Sequence, residues 1–317
     1  MEKTDCCLCH HNENVIYFTN LPDRSLKSSK KTTTLVSCTN CGLIYQNPRL
    51  TASELSLSYP DDYEAFQQLT FSGKRSWLLQ KAYDYGFNKR VRFITQFKTS
   101  GRLLDIGCST GTFLNQMRNY GDWGLEGVEI SSYASEIARN QFNLHVFTGT
   151  LEQALFPDEY FDVITLWDVL EHLYDPVNTL REINRVLKKD GICVVRVPNG
   201  ESLDARLFRQ YWKGLDAPRH LYVFTQKTLI RSFELTGFQA LLWNTSSGNY
   251  ITFLQSLQFW LDDQPICQLF KSILLRILYH PIIRLLSIPF FIPASLFLFG
   301  PNMIVTIRKA DKHEFSS

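Results

Sequence analysis

Arg102-Leu103-Leu104-Asp105-Ile106-Gly107-Cys108-Ser109-Thr110-Gly111-Thr112-Phe113 is the stretch whose reading decides the fold. A short apolar run ends in an acid and a turn of small residues follows. Phe113, Leu114 and Met117 then recur at helical spacing. Strand, tight loop and helix in that order open the nucleotide-binding α/β units. Gly107 and Gly111 carry no Cβ, so backbone can come close to a ligand there. The start of the helix offers free N–H groups. Asp105, at the carboxyl end of the strand, can accept a hydrogen bond or balance a cation.

This loop is neither a dinucleotide fingerprint nor a P-loop. The first would need glycine where Ser109 and Thr112 stand, and the second a lysine that is absent. An acid beside small residues suits a cationic, phosphate-free nucleoside. Further strands follow in register. Gly124-Leu125-Glu126-Gly127-Val128-Glu129-Ile130 puts an acid 24 residues past Asp105, near the offset at which a carboxylate takes ribose hydroxyls. Leu144 to Phe147 reads as the third strand and Phe161 to Leu166 as the fourth. Trp167 and Asp168 leave the fourth strand where ligands bind in open α/β sheets. Ile192 to Val197, Gln239 to Asn244 and Asn302 to Lys309 complete the set, with helices expected at 175–187 and 225–236.

The ordered features from residue 103 to 199 resemble class I S-adenosylmethionine (SAM) methyltransferases, whose first motif reads Asp-x-Gly-x-(small)-x-Gly as positions 105 to 111 do. The resemblance implies an α/β fold, a Rossmann-like seven-stranded sheet with its last strand antiparallel. It implies SAM as cofactor, bound by Asp105, Gly107, Cys108, Ser109, Gly111, Glu129 and Ile130, with Trp167 and Asp168 beside the methyl group. Relatives usually place an acid after the glycine that matches Gly149. Here Thr150 follows, so adenine contact is expected from the backbone of Thr150 and Leu151, with Glu152 as a substitute.

SAM already carries an activated methyl group, so such an enzyme mainly positions an acceptor and removes its proton. Asp168-Val169-Leu170-Glu171-His172 gathers two acids and an imidazole at the mouth of the site. His172 is the expected general base, with His220 as rival and Asp168 beside them. Arg219 and His220 are candidates for holding an anionic or hydroxylated acceptor. The cluster is similar to the Glu-x-x-Glu-His of ubiquinone-pathway O-methyltransferases, which implies a divalent metal at Asp168, Glu171 and His172. Asp168 departs from that pattern by one methylene. Structural roles compete: Glu171 and His172 can cap the next helix, and Arg219 and His220 can anchor their loop.

Upstream, Cys6-Cys7-Leu8-Cys9 and Cys38-Thr39-Asn40-Cys41 form two C-x-x-C turns. Two such turns complete a tetrahedral shell, giving a structural zinc at Cys6, Cys9, Cys38 and Cys41. His10, His11 and Cys7 are substitutes. Strand-like runs at Val15–Phe18 and Thr33–Ser37 suggest a ribbon. With Gly42 to Arg49 the segment resembles the zinc-binding head of many bacterial methyltransferases of surface-sugar and natural-product pathways.

The chain thus divides into a zinc-ribbon-like head (1–50), connecting or lid helices (51–98), a core (99–248 and 300–310) and a hydrophobic insertion (249–299). Thr51-Ala52-Ser53-Glu54 reads as a capped helix start. Trp77, Leu78, Lys81, Tyr85, Val91 and Ile94 read as packing residues of the lid helices, while Tyr59 and Tyr63 can reach the cofactor. In the insertion, Ile266, Leu269, Phe270, Ile273, Leu274, Ile277 and Leu278 form one helical stripe. Leu285 to Phe299 is uncharged and interrupted by Pro289 and Pro293. A span needs about 20 apolar residues, so an interfacial or re-entrant segment flanked by Arg276, His280 and Arg284 is expected. A lid or homodimer face is the soluble alternative.

Lys and Arg number 33 against 31 Asp and Glu. That balance gives no electrostatic case for nucleic acid. Met1 to Asp5 runs straight into cysteines without a signal peptide, which suits a reducing compartment where cysteines favour metal over disulfide. The expectation is therefore a cytoplasmic, membrane-associated protein with a small-molecule, sugar or lipid-linked acceptor, a membrane surface and a homodimer as partners. Its rival is a membrane-tethered scaffold that binds SAM without catalysis.

Overall fold

The computed structural model describes residues 1–25, 32–56, 58–59, 76–245, 249–296 and 298–310. Tyr63 and the side chains of Trp77, Leu78, Lys81 and Tyr85 lie outside the described residues.

The head contains β1 (Asn14–Pro22), β2 (Thr32–Cys38) and β3 (Ile44–Gln46), and α1 (Ala52–Ser56) and α2 (Ser76–Thr95) follow. The core then runs β4 (Gly101–Ile106), α3 (Thr112–Met117), β5 (Trp123–Glu129), α4 (Ser132–Phe142), β6 (His145–Thr148) and β7 (Phe161–Trp167). It continues with α5 (Pro176–Val186), β8 (Leu187–Pro198), α6 (Leu203–Phe208), β9 (Tyr222–Val223), α7 (Gln226–Glu234) and β10 (Phe238–Asn244). The insertion holds α8 (Asn249–Asp262), α9 (Gln268–Leu278) and α10 (Pro281–Leu296), and β11 (Asn302–Lys309) closes the chain's main sheet.

Seven strands lie in the order β10-β11-β8-β7-β4-β5-β6. β4 to β8 pair in parallel and β11 runs antiparallel to both its neighbours. Parallel strands are covered on both faces and so read as continuous apolar runs. Leu103, Leu104, Val163, Ile164, Leu166 and Cys193 to Val195 are accordingly buried. Each fully buried aliphatic side chain contributes about 1.5–3 kcal/mol. From β4 the chain builds outward through β5 and β6, then returns to place β7 on the other side of β4. The carboxyl ends of β4 and β7 therefore flank the topological switch point, where open sheets of this kind bind ligands.

Local signals fix the flanking helices. Asp175 accepts from the Asn178 N–H at 2.9 Å, with Pro176 in the first turn of α5. Thr225 and Thr228 form a reciprocal capping box at α7. Between the helix expected at 175–187 and the strand expected from Ile192, residues 188–191 form a bulge within β8: Phe161 pairs with Leu187, but Val163 pairs with Ile192.

A second sheet has the order β1-β2-β3-β9, so its last strand comes from the loop after α6. Tyr45 pairs with Tyr222 and Ile44 with Val223. The Gln46 side chain donates to the carbonyls of Pro218 (2.8 Å) and His220 (2.7 Å). Packing is continuous across residue 50, because Cys6, Leu8, Tyr45 and Leu50 share one buried cluster with Leu104, Leu166, Val195 and Phe224.

Two details of the insertion set which side chains it exposes. Its amphipathic helix forms, but Leu269, Phe270, Ile273 and Ile277 face outward while Lys271 is buried. Lys271 Nζ donates to the carbonyls of Gln264 (3.0 Å) and Asp262 (3.4 Å), closing the end of α8, and this turns the helix over. α10 also runs as a helix through Pro289 and Pro293. Among the described residues no helix is long and apolar enough to cross a membrane.

Candidate active site

The loop after β4 and the start of α4 meet on one carboxylate. Glu129, the last residue of β5, accepts from the backbone N–H of Ser109 at Oε2 and of Ser131 at Oε1, both at 2.8 Å. Ser109 adopts a left-handed φ of 50° to aim its N–H there. Burial pushes the Glu129 carboxyl up, and the Ser131, Ser109 and Ile130 backbone groups oppose that push. A carboxylate has about four lone-pair positions, so two remain for a ligand. Ile130 beside it is 76% exposed, an apolar face without a protein partner to cover it.

Asp105 is buried and accepts from Thr165 Oγ1 at 2.6 Å. Burial drives its pKa up to about 7, against the lowering effects of Thr165 and the Arg90 charge. The two loop glycines serve protein packing. Both have positive φ, 68° at Gly107 and 76° at Gly111. A Cβ on Gly107 would lie 2.5 Å from Val169 Cγ2, and one on Gly111 would lie 2.6 Å from Leu144 Cδ1. Their missing Cβ atoms let the loop after β4 close on the loop after β7 and on α4. Cys108 turns its side chain inward against Gly127, and burial raises its thiol pKa.

Thr150 is exposed, but its N–H donates to Gln153 Oε1 at 2.9 Å. Leu151 is buried, and Glu152 accepts from Thr179 on α5 at 2.8 Å. Trp167 packs edge-on against Phe113, with the Arg90 guanidinium 5.2 Å from its ring centroid and its indole Nε1 without a hydrogen-bond partner. Asp168 leaves β7 in the left-handed region at φ 60°, a strained conformation of the kind found at functional sites. Its carboxylate pairs with Arg196 at 3.2 Å.

His172 and His220 meet edge to face with ring centroids 4.6 Å apart. His172 Nδ1 lies 3.0 Å from both the Arg219 carbonyl and the Tyr59 hydroxyl. A carbonyl can only accept, so in the neutral ring Nδ1 carries the hydrogen and Nε2 keeps the lone pair. His220 Nδ1 likewise donates to the Gly214 carbonyl at 2.8 Å, and its Nε2 lies 3.9 Å from Glu171 Oε1. Burial lowers the pKa of both imidazoles, that of His220 to about 3 with the neighbouring His172 adding to the effect. Glu171 is fully buried, neither of its oxygens has a hydrogen-bond partner, and burial followed by the Asp168 charge raises its pKa far above the carboxylate range.

One donor atom each from Glu171, His172 and His220 lies within 4.8 Å of the others. Orphaned carboxylate oxygens and imidazoles whose Nδ1 is tied to a carbonyl form a donor set that fits a divalent cation. The trio expected from sequence, Asp168 with Glu171 and His172, is not what gathers: Asp168 is held by Arg196, and His220 takes its place. Arg219 is equally reassigned. It is fully buried, bonded to Asp23 at 2.9 and 3.2 Å and to Asp216 at 2.9 and 3.2 Å, so its guanidinium anchors the loop.

In the head, the Sγ atoms of Cys6, Cys9, Cys38 and Cys41 all lie within 4.8 Å of one another. Tetrahedral Zn–S bonds of about 2.3 Å put sulfur atoms at such separations. At Cys9, burial is outweighed by the His11 N–H and by Cys38, Asn40 and Cys41, so its thiol falls to about 7. Cys7 stands apart, pushed up to about 12 by burial. His11 instead faces Glu13 at 3.6 Å.

Sequence reading missed Thr165 and Arg196 as partners of Asp105 and Asp168. Each is a polar residue inside an otherwise apolar strand, and that was the available signal.

A family model described as a methyltransferase domain matches residues 79–242. The chain is 35% identical over 129 residues to an uncharacterized protein of Methanocaldococcus jannaschii, covering 38% of this chain and 49% of that one. It is 30% identical over 117 residues to the ubiquinone biosynthesis O-methyltransferase of Actinobacillus pleuropneumoniae, covering 32% and 49% respectively. The chain spans about half the length of these curated relatives. Among solved structures, the [4+2]-cyclase SpnF gives a TM-score of 0.50 at 21% identity, covering 73% of this chain and 83% of that one. That likeness is one of fold.

Proposed function

Because the chain belongs to the class I SAM methyltransferase family, we propose that it transfers the methyl group of SAM to a hydroxyl of a small-molecule, sugar or lipid-linked acceptor. The observation that carries the reading is Glu129, fixed by two backbone N–H groups at the switch point with two acceptor positions left for the ribose diol. The 107–111 loop adjoins Glu129 through the Ser109 N–H, buried Asp105 lies behind it at the end of β4, and exposed Ile130 offers an apolar cover for adenine.

His172 acts as general base. Its Nδ1–H is held by the Arg219 carbonyl, its Nε2 lone pair is available, and its lowered pKa keeps it neutral near pH 7. His220 packs edge-on against His172 with its Nε2 3.9 Å from Glu171, and Asp168 with Arg196 shapes the entrance. A divalent cation held by Glu171, His172 and His220 would occupy the His172 Nε2 lone pair, so that Lewis acidity on an acceptor oxygen would replace proton removal by His172. The four clustered cysteines of the head hold a zinc whose role is structural, since four protein ligands leave no open position.

The test is incubation with methyl-labelled SAM and lysate from the protein's own source, followed by organic extraction. A labelled product supports transfer, and its phase separates lipid-linked from water-soluble acceptors. SAM binding with no labelled product in either phase overturns the reading in favour of a non-catalytic SAM-binding scaffold.

A further inference from the structure

We propose that the outward faces of α9 and α10 dock this protein on an anionic lipid bilayer. The stripe of α9 is turned away from the protein: Leu269 is 68% exposed, and Ile273 and Ile277 lie beside it in the open. On α10, Leu285 is 66% and Leu286 69% exposed. A surface of that size and character is costly to leave in water.

The inner sides are already engaged. On α8, Tyr250 donates to the Leu278 carbonyl at 2.5 Å, and Tyr250 and Phe253 pack edge-on against Phe291. α8 is in turn fixed to the core by Ser256, which accepts from the Lys213 N–H at 2.9 Å. The outward orientation of α9 is therefore built in: burying its stripe against α8 would expel Lys271 from the carbonyls it holds.

Charge selects the occupant. From residue 264 to residue 301 the sequence contains no Asp or Glu, and of its three cations Lys271 is buried against carbonyls, which leaves Arg276 and Arg284. Arg276 and Arg284 are exposed on the helices that carry the apolar face, and neither makes an ion pair among the described residues. A two-fold contact between copies would bring these cations together with no counter-charge from their own helices. An anionic headgroup layer supplies that charge while its acyl boundary takes the apolar side chains.

Topology gives the contact a purpose. β10 ends at Asn244 and β11 begins at Asn302, which pairs with Pro198 at the carboxyl end of β8. The insertion thus leaves and rejoins the sheet at the edge that carries the loops of Glu129, Asp168 and His172. Asn199 donates to the carbonyls of Leu298 (3.0 Å) and Gly300 (2.9 Å), binding the two regions together. Docking brings the acceptor edge to the bilayer surface. Resting on the methyl-transfer reading, this narrows the acceptor to molecules carried on a hydrocarbon anchor.

The experiment is co-sedimentation, without SAM, with phosphatidylcholine vesicles that contain or lack phosphatidylglycerol. Partition onto the anionic vesicles, weakened by salt, is expected. Leu285→Glu with Leu286→Glu should abolish it, and each of Arg276→Gln and Arg284→Gln should weaken it about 5-fold. All four positions are exposed, so unchanged thermal melting and SAM affinity serve as controls. Absence of partition onto anionic vesicles overturns the proposal, as does partition indifferent to the Leu→Glu pair. A dimer in sedimentation that the same pair dissociates, with no vesicle binding, overturns it in favour of a second copy. Label transfer from methyl-labelled SAM to lysate acceptors, read separately without vesicles, tests the methyl-transfer reading independently.

Discussion

Replacing Glu129 by Gln is the sharpest perturbation of the cofactor site. Each Glu129 oxygen spends one lone pair on a backbone N–H at 2.8 Å, leaving one apiece for the two ribose hydroxyls. Hydrogen bonds to a charged group are worth about 1.5–3 kcal/mol each. Gln removes the charge and turns one acceptor into an NH2, which weakens both ribose bonds and sets a donor against the N–H of Ser109 or Ser131. Losing about 3 kcal/mol of ligand interaction raises the SAM Kd by a factor of about 100. The unpartnered backbone N–H costs about 1–3 kcal/mol of stability besides. Titration calorimetry reads the first number and urea denaturation the second. A folded variant whose Kd rises less than about 5-fold refutes the ribose assignment.

Other perturbations reach the head, the base and the loop between them. Wild-type protein should carry close to one zinc per chain by a metal-release assay, and Cys38→Ser should lose it; a metal-free wild type refutes the four-cysteine site. His172→Ala should leave SAM affinity unchanged and lower kcat by about 10²–10⁴, with full turnover refuting the base role. Buried His220 refuses protons that the unfolded chain accepts below its ordinary 6.5, so stability should fall as pH drops from 6.5 toward about 3. Urea midpoints across that window should show a shallower slope for His220→Gln, and equal slopes refute the assignment. Asp23→Asn strips one of two carboxylates from fully buried Arg219 and should cost about 3 kcal/mol. It should also lower kcat, because the Arg219 carbonyl orients His172; a loss under about 1 kcal/mol contradicts the buried pair.

The core was legible because parallel strands buried on both faces leave apolar runs, and three of them end in an acid at the carboxyl edge of the sheet. Asp105, Glu129 and Asp168 are such ends. Caps at Asp175 and Thr225 were equally readable, being local. What was hidden depends on distant partners. Asp168 and Glu171 have the spacing of a metal motif, yet Arg196, on the neighbouring strand, claims Asp168 and leaves the place to His220. Arg219 resembles a ligand-binding arginine in sequence, and only its meeting with Asp23 reveals an anchor. The stripe of α9 shows its period but not its direction, which Lys271 and the end of α8 decide.

The pairing of Tyr45 with Tyr222 also sets a timetable for synthesis. All four thiols of the head have left the ribosome once Cys41 emerges, so metal capture can come early. β3, however, keeps an open edge until β9 follows much later, and Gln46 and Asp23 wait as long for Pro218, Arg219 and His220. An open edge strand is an invitation to wrong partners, and long-range pairings of this kind form slowly. Nascent chains halted before residue 222 would carry a complete four-cysteine knuckle beside an unprotected edge, and they are the species on which chaperones should be found.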